Sequence, residues 1–336
     1  MVKEYNKYSL LQHNTFGIEA TADRFVEFST QEELVAFIGD GFNGRALVIG
    51  GGSNLLFVND FDGTVFHSRI MDIDVLEEND TDVFVRVGSG VNWDDFVAYC
   101  VTHGWYGLEN LSLIPGEVGA SAVQNVGAYG VEAGDLIVKV DTISLESAVL
   151  CSFTNSDCEF AYRHSIFKAA EKGKHIVTYV TYRLKKCAEF KLSYGNLKEK
   201  VEEFGGATLS NVRSAVCEIR RAKLPDPAEI GSAGSFFMNP IVSADVADAL
   251  LNDYPTMPQY LLADGNVKLS AGWLIDQCGW KDTPYERFGV YRHQALVVIN
   301  RGGATGEDVI RFAADVVASV KEKFGVELIM EVNVIR

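Results

Sequence analysis

Two stretches rich in glycine and other small residues restrict this chain more than any other feature of its sequence. The first is Ile49-Gly50-Gly51-Gly52-Ser53-Asn54-Leu55-Leu56. The second starts at Ile114-Pro115-Gly116-Glu117-Val118-Gly119-Ala120-Ser121-Ala122 and continues through Gln124-Asn125-Val126-Gly127-Ala128-Tyr129-Gly130. Successive glycines let backbone N–H groups turn inward with no Cβ in the way, which makes an anion nest suited to a pyrophosphate. A plain tight turn explains three glycines after a strand more often. For the second stretch, a packed helix with loose ends competes evenly with a backbone that closely approaches something large and flat. Two such loops in one chain favour a dinucleotide lying between them. The first loop departs from G-x-G-x-x-G at Ser53 and Asn54, no helix is expected after it, and it has no Gly-Lys-Ser/Thr, so Rossmann and NTP-hydrolysing readings are weakened.

Around these loops the pattern reads as α+β. Arg24 to Phe28 is strand-like, and Thr30-x-x-Glu33 caps a helix with Leu34, Phe37 and Ile38 on one face. Ala46 to Ile49 reads as a buried strand that runs into the glycines. Val83, Val85 and Val87 alternate to one side, and Asn92 opens a helix striped by Phe96, Val97, Cys100 and Val101 and ended by Gly104. Strands follow at Ile137 to Leu145 and Ile176 to Leu184. A helix bearing Val212, Ala215, Val216 and Ile219 stops at the prolines of Lys223-Leu224-Pro225-Asp226-Pro227, the best candidate domain boundary. Beyond it we expect helices over 244–251 and 271–278, a strand over 295–299, a long helix capped by Thr305-x-x-Asp308, and a terminal strand over 327–335 that rejoins an earlier sheet. The expected segments are 1–69, 70–224 (rejoined by 327–336) and 225–326.

Among 336 residues, 30 Lys and Arg stand against 46 Asp and Glu, a net charge of −16. That field repels nucleic acid and anionic membranes, so an anionic ligand must be held by local N–H groups and a few placed cations. The six cysteines show no C-x-x-C spacing, which favours reduced thiols in a cytoplasmic protein. No apolar run approaches the ~18 residues of a membrane span, and no secretory leader is visible. The His residues have no ligand spacing, so no metal is expected.

Three side chains stand out as possible chemistry. Ser235, in GSAGSFFMNP (231–240), is a hydroxyl between glycines and two bulky aromatics; Phe237 breaks the G-x-S-x-G elbow, and a turn hydroxyl is the commoner explanation. Arg163, in FAYRHSIFK (160–168), is a cation among aromatics, more often solvated or stacked than catalytic. Glu331, in LIMEV (328–332), is an acid in an apolar terminal strand; an exposed face explains it as well as function does, and an interior place requires a paired cation.

With these residues in hand, the chain resembles the UDP-N-acetylenolpyruvoylglucosamine reductase (MurB) family, flavoenzymes of peptidoglycan synthesis. The similar strings run nearly end to end: NTFGI (14–18), GGGSNLLF (50–57), GLENLSLIPGEVGASAVQNVGAYGVE (107–132), YRHSIFK (162–168), LSYGNL (192–197), KLPDP (223–227), GSAGSFFMNP (231–240), LSAGWLIDQCGWK (269–281) and YRHQALV (291–297). Each is weak alone; as an ordered set they are specific.

The resemblance implies a FAD-binding fold of the vanillyl-alcohol-oxidase (PCMH) type in two subdomains, plus a smaller α/β substrate-binding domain. It implies FAD held by Gly50, Gly51, Gly52, Ser53 and Asn54 and by Ile114, Pro115, Gly116, Gly119, Ser121, Asn125, Gly127 and Tyr129. Covalent attachment in that superfamily uses His or Cys, and neither lies within 50–57, so the flavin is expected to be extractable. NADPH reduces it, and hydride then passes to C3 of the substrate's enolpyruvyl group. The enolate that develops is stabilised at the carboxylate by Arg163 and by Glu331, the acid protonated or sharing a proton because a bare carboxylate there is repulsive. Ser235 matches the family's proton donor to C2.

Tyr194, Lys223, Asn239 and Gln294 match ligands of the UDP-sugar, and the segment with Tyr194 marks the longer, type I subclass. Family members often carry a basic residue two positions after the terminal Glu; here it is Asn333. No obligatory protein partner is evident. Another flavin oxidoreductase and a non-catalytic nucleotide-sugar sensor are the alternatives; Tyr194, Lys223 and GSAGSFF argue against the first, and Arg163, Ser235 and Glu331 together against the second.

Overall fold

The computed structural model describes residues 1–281 and 286–336. The chain divides into two compact units: Met1–Tyr8, Ala22–Gly51 and Asp62–Arg220 form the first, and Ser9–Thr21, Gly52–Phe61 and Arg221–Arg336 the second.

In the first unit a four-stranded sheet has the order Lys3–Ser9, Thr21–Phe28, Phe61–Ser68, Ala46–Ile49. The Thr30 hydroxyl accepts the Glu33 N–H and starts the helix Gln31–Gly39, which buries Leu34 and Ile38. The expectation of a buried strand at Ala46–Ile49 needs correction. It lies at the sheet edge, only Ile49 is buried, and Val48 is 39 % exposed.

A five-stranded antiparallel sheet follows, in the order Leu150–Thr154, Ile137–Ser144, His175–Lys185, Asp82–Gly88, Ile73–Glu78. Val83, Val85 and Val87 are fully buried, each contributing about 1.5–3 kcal/mol of apolar transfer. The Asn92 side chain accepts the Asp95 N–H and opens the helix Trp93–Thr102, whose Phe96, Val97 and Cys100 join the same core with Trp93 and Tyr182. Leu150–Thr154, with alternate residues exposed, gives little apolar signal and is not legible in the sequence.

An expected border after residue 69 does not divide the core. Val26, Phe28, Leu34, Ile38 and Phe66 pack in one cluster with Ile70, Ile143, Ile176 and Tyr179, which makes both sheets one unit. The helix Leu209–Lys223 packs Val212, Ala215, Val216 and Ile219 against Leu197 and Val201 of the helix Leu197–Glu203.

In the second unit Gly231–Ser235, Gln294–Asn300 and Phe288–Tyr291 form an antiparallel sheet with Gln294–Asn300 at its centre. The helices Ala244–Asp253, Ala271–Gln277 and Gly306–Phe324 agree with the expected pattern; the last opens on a reciprocal Thr305–Asp308 capping box and ends at Gly325, φ +68°.

The terminal segment differs from its expectation. Only Asn333–Ile335 is a strand, and it pairs in parallel with Leu55–Phe57 rather than rejoining any strand of 70–224. Upstream of it, the Met238 N–H donates to Ile329 O at 2.8 Å and the Glu331 N–H to Phe236 O at 2.9 Å. The chain changes partners between residues 331 and 333, so one continuous ladder cannot form.

Candidate active site

The first unit brings Gly50 and Gly51 of the first glycine-rich segment against the second segment. A Cβ on Gly50 would lie 3.1 Å from Glu117 Oε2, and one on Gly51 would lie 3.1 Å from Gly116 Cα. The turn at 115–117 is pinned by backbone bonds: Trp93 N–H to Gly116 O at 3.0 Å and Val118 N–H to Val91 O at 2.9 Å.

Several residues expected to touch a cofactor have side chains that turn inward. Ile114 packs on the core. The Ser121 hydroxyl is buried, 2.6 Å from both Val118 O and the Tyr182 hydroxyl. The amide of Asn125, 1 % exposed, donates to Glu132 Oε2 and Ala161 O and accepts from the Gly134 N–H. These side chains are consumed by the scaffold around the short helix Val118–Gln124, which leaves backbone atoms as what this segment can offer a ligand.

Arg163 occupies the tip of a tight turn closed by reciprocal Ala161–His164 backbone bonds, and its own φ is +54°. That left-handed conformation costs a non-glycine residue about 1–2 kcal/mol. The guanidinium reaches back to donate to Gly127 O at 2.9 Å. Tyr129, itself at φ +49°, follows, and its ring meets that of Tyr194 edge-on at 5.9 Å. Burial raises the Tyr129 hydroxyl above its usual pKa, while the Arg220 guanidinium partly opposes the rise. Burial likewise lowers the pKa of Arg220, and the like charge of Arg163 acts in the same direction. Two guanidiniums in one neighbourhood make a cationic corner in a strongly acidic protein.

In the second unit Ser235 and Glu331 are held by neighbouring backbone pairings. Ser235 pairs with Val297, and Phe236, the next residue, donates its N–H to Leu296 O at 2.8 Å and accepts the Glu331 N–H at 2.9 Å. The two aromatics after Ser235 are buried, so the half-buried serine has an apolar border on one side. Among the described residues, none hydrogen-bonds the Ser235 hydroxyl.

Thr15 secures this arrangement from below. Its N–H donates to Gly52 O, its hydroxyl donates to Ser232 O at 2.6 Å, and its carbonyl accepts the Ser232 N–H at 2.9 Å. A Cβ on Gly52, at φ +64°, would fall 1.9 Å from His13 O. Asn333 donates from both its backbone and its side chain to Asn54 O, at 3.1 and 3.2 Å.

The side chains assigned to a sugar nucleotide are partly engaged. Asn239 Oδ1 accepts the Ala271 N–H at 3.0 Å, and Gln294 Oε1 accepts the Leu296 N–H at 3.3 Å. Among the described residues each therefore has its amide NH₂ left to offer. Lys223 ends its helix exposed, and Tyr194 is 37 % exposed.

Bound FAD is compatible with these residues. In the first unit the stacked glycine turns offer backbone without Cβ atoms; in the second, Asn54 Oδ1 is buried with no hydrogen-bond partner among the described residues, an acceptor that a ligand N–H can satisfy.

Comparison with known proteins agrees. A FAD binding domain model matches residues 22–149, and a model of the UDP-N-acetylenolpyruvoylglucosamine reductase C-terminal domain matches residues 226–335. Glycine turns, cationic corner and domain match define a FAD-binding oxidoreductase, and its α+β unit is the flavin-binding fold expected from the sequence. The chain is 52 % identical over 330 residues to UDP-N-acetylenolpyruvoylglucosamine reductase of Bacteroides fragilis, covering 98 % of this chain and 99 % of that protein. The enzyme of the same name from Porphyromonas gingivalis is 46 % identical over 331 residues, covering 98 % of each. The chain belongs to the UDP-N-acetylenolpyruvoylglucosamine reductase family. The crystal structure of the Thermus caldophilus enzyme shares its fold, with a TM-score of 0.69 at 22 % identity over 100 % of this chain and 99 % of that one.

Thr15 and Arg220 received no role from residue-by-residue reading. Arg220 carried a usable signal: it lies four residues after Val216, on the apolar face of its helix, where an unexplained cation points to a special environment. It donates to Leu113 O at 3.1 Å. Thr15 carried none beyond its place in NTFGI, because its partners are distant in sequence.

Proposed function

We propose that this protein reduces the enolpyruvyl group of UDP-N-acetylglucosamine enolpyruvate to the lactyl ether of UDP-N-acetylmuramate, with NADPH as reductant, in the cytoplasm where both nucleotides are found. Family membership supports the reaction, and one local observation supports the residue assignment: a serine hydroxyl with no hydrogen-bond partner among the described residues, one position before the backbone pairing that holds Glu331.

FAD, when bound, supplies hydride transfer between NADPH and the substrate double bond. The remainder of the work falls to side chains. Hydride addition at C3 develops negative charge towards the substrate carboxylate, and Arg163 and Glu331 stabilise it, Glu331 in its protonated or proton-sharing form. Withdrawal of one such stabilising group costs on the order of 10²–10³ in rate. Ser235 then delivers its proton to C2. A hydroxyl is a weak acid in water, but the pKa gap to an enolate narrows in an apolar surround such as that supplied by Phe236 and Phe237.

Tyr194, Lys223 and the free amides of Asn239 and Gln294 bind the UDP-sugar, with Lys223 a point charge for an anionic group. Gly50–Asn54 and the backbone of 114–129 hold the flavin's pyrophosphate without a covalent bond.

Anaerobic titration tests the proposal. The purified protein is expected to be yellow, to bleach on addition of NADPH, and to recover its oxidised absorption when UDP-N-acetylglucosamine enolpyruvate is added. Bleaching with NADPH followed by no recovery with that substrate would assign the protein to another reaction on the same cofactor.

A further inference from the structure

His67 and Glu117 form a buried polar contact that the reaction does not use. His67 sits on the strand Phe61–Ser68, opposite Ile49 of the parallel neighbour, whose next residue is Gly50. Its side chain is 6 % exposed and that of Glu117 12 %. The imidazole Nε2 lies 2.9 Å from Glu117 Oε1, and Nδ1 lies 3.4 Å from Glu27 Oε1; the Arg69 guanidinium stands 3.8 Å from the same Glu27 oxygen.

Glu117 is also the side chain that a Cβ on Gly50 would meet, at 3.1 Å from Oε2 and 3.3 Å from its Cβ. One carboxylate therefore lies against the first glycine turn, belongs to the second, and is anchored to the strand paired with the one that leads into the first. Two carboxylates here without a donor would repel each other and any pyrophosphate beside them; the imidazole lies between them and the Arg69 guanidinium offsets part of the charge on Glu27.

We propose that His67 and Glu117 are positioning residues that clamp the Gly50–Gly51 turn against the Pro115–Glu117 turn and so preorganise the pyrophosphate site of FAD. The inference rests on the reading above that these turns hold the dinucleotide. Its physical content is preorganisation: a loop already held in its binding conformation loses less freedom when the ligand arrives. Neither residue acts on substrate, so the effect belongs in cofactor affinity.

The test is the FAD dissociation constant of the apoprotein, measured by quenching of flavin fluorescence, beside the melting temperature of the same apoprotein. Glu117→Ala and His67→Ala are each expected to raise the constant about tenfold or more, Glu117→Gln to stay within about threefold of wild type because its amide oxygen still accepts from the imidazole, and the double alanine variant to be no worse than either single one. Should His67→Ala fail to fold, His67→Gln takes its place in the cycle, with an intermediate value expected.

Constants within threefold of wild type for both alanine variants, with only the melting temperature lowered, would reduce the pair to a structural contact and overturn the proposal. So would strictly multiplicative effects in the double variant. Gly51→Val separates this failure from the larger one: if it binds FAD as wild type does, the placement of the pyrophosphate itself is wrong, whereas a weakened Gly51→Val beside unaffected clamp variants removes the clamp alone.

Discussion

The two units hold their candidate residues by different means. In the first, the shape comes from what is missing: glycines whose facing turns leave no room for a Cβ, since one on Gly51 would lie 3.1 Å from Gly116 Cα. In the second, an absent Cβ also matters at Gly52, but the candidate residues are set by pairing between segments far apart in sequence, Phe236 with Glu331 and Thr15 with both Gly52 and Ser232. The first kind leaves a visible trace in composition. The second leaves almost none, because backbone pairing constrains side-chain type only weakly.

The contrast can be broken at specific positions. The largest effect is expected at Gly52, where alanine must accept both φ +64° and a contact of 1.9 Å with His13 O. About 3 kcal/mol or more of unfolding free energy should be lost in urea denaturation, because backbone has to move on both sides. A smaller loss would mean that the second unit is more pliable than its close packing implies.

Asp94→Asn probes the scaffold of the first unit. Burial pushes the Asp94 carboxyl up, but the Arg213 guanidinium and the Leu113 N–H more than offset this and hold it below its ordinary 3.8. The bond to Arg213 should contribute about 1.5–3 kcal/mol. A folded pKa below the unfolded one means that the contribution is complete above the usual aspartate range and disappears as pH falls through the lowered value. The stability difference between wild type and Asp94→Asn should therefore shrink below about pH 4.

Thr15→Val should cost about 1–2 kcal/mol from the lost bond to Ser232 O. It should also slow substrate reduction more than flavin reduction, because Ser232 lies in the strand that carries Ser235. The smallest effect is expected at Asn333→Ala, about 0.5–1 kcal/mol, since the backbone N–H of residue 333 still bonds Asn54 O. An equal slowing of both half-reactions in Thr15→Val would remove the distinction between the units.

Much of the fold was readable because its signals are local. Thr30 and Thr305 cap helices as their spacing requires, Val83, Val85 and Val87 face inward together, and the prolines after Lys223 end a helix where expected. Where reading failed, the deciding interactions were not local. The edge position of Ala46–Ile49 depends on which strands are its neighbours, and the terminal strand's partner at Leu55–Phe57 lies some 280 residues earlier in the chain. The same limit governed the site. Gly50 to Gly52 announced themselves, whereas the inward turn of Ser121 and Asn125 followed from Tyr182 and Glu132, which nothing in the sequence joins to them.

The most direct test of the central claim is rapid-mixing spectroscopy on Ser235→Ala under anaerobic conditions. Flavin bleaching by NADPH should proceed at close to the wild-type rate, while reoxidation by UDP-N-acetylglucosamine enolpyruvate should slow by about 10²-fold or more. Reoxidation at the wild-type rate, or an equal slowing of both steps, would contradict the assignment of Ser235 as the group that protonates the substrate carbon.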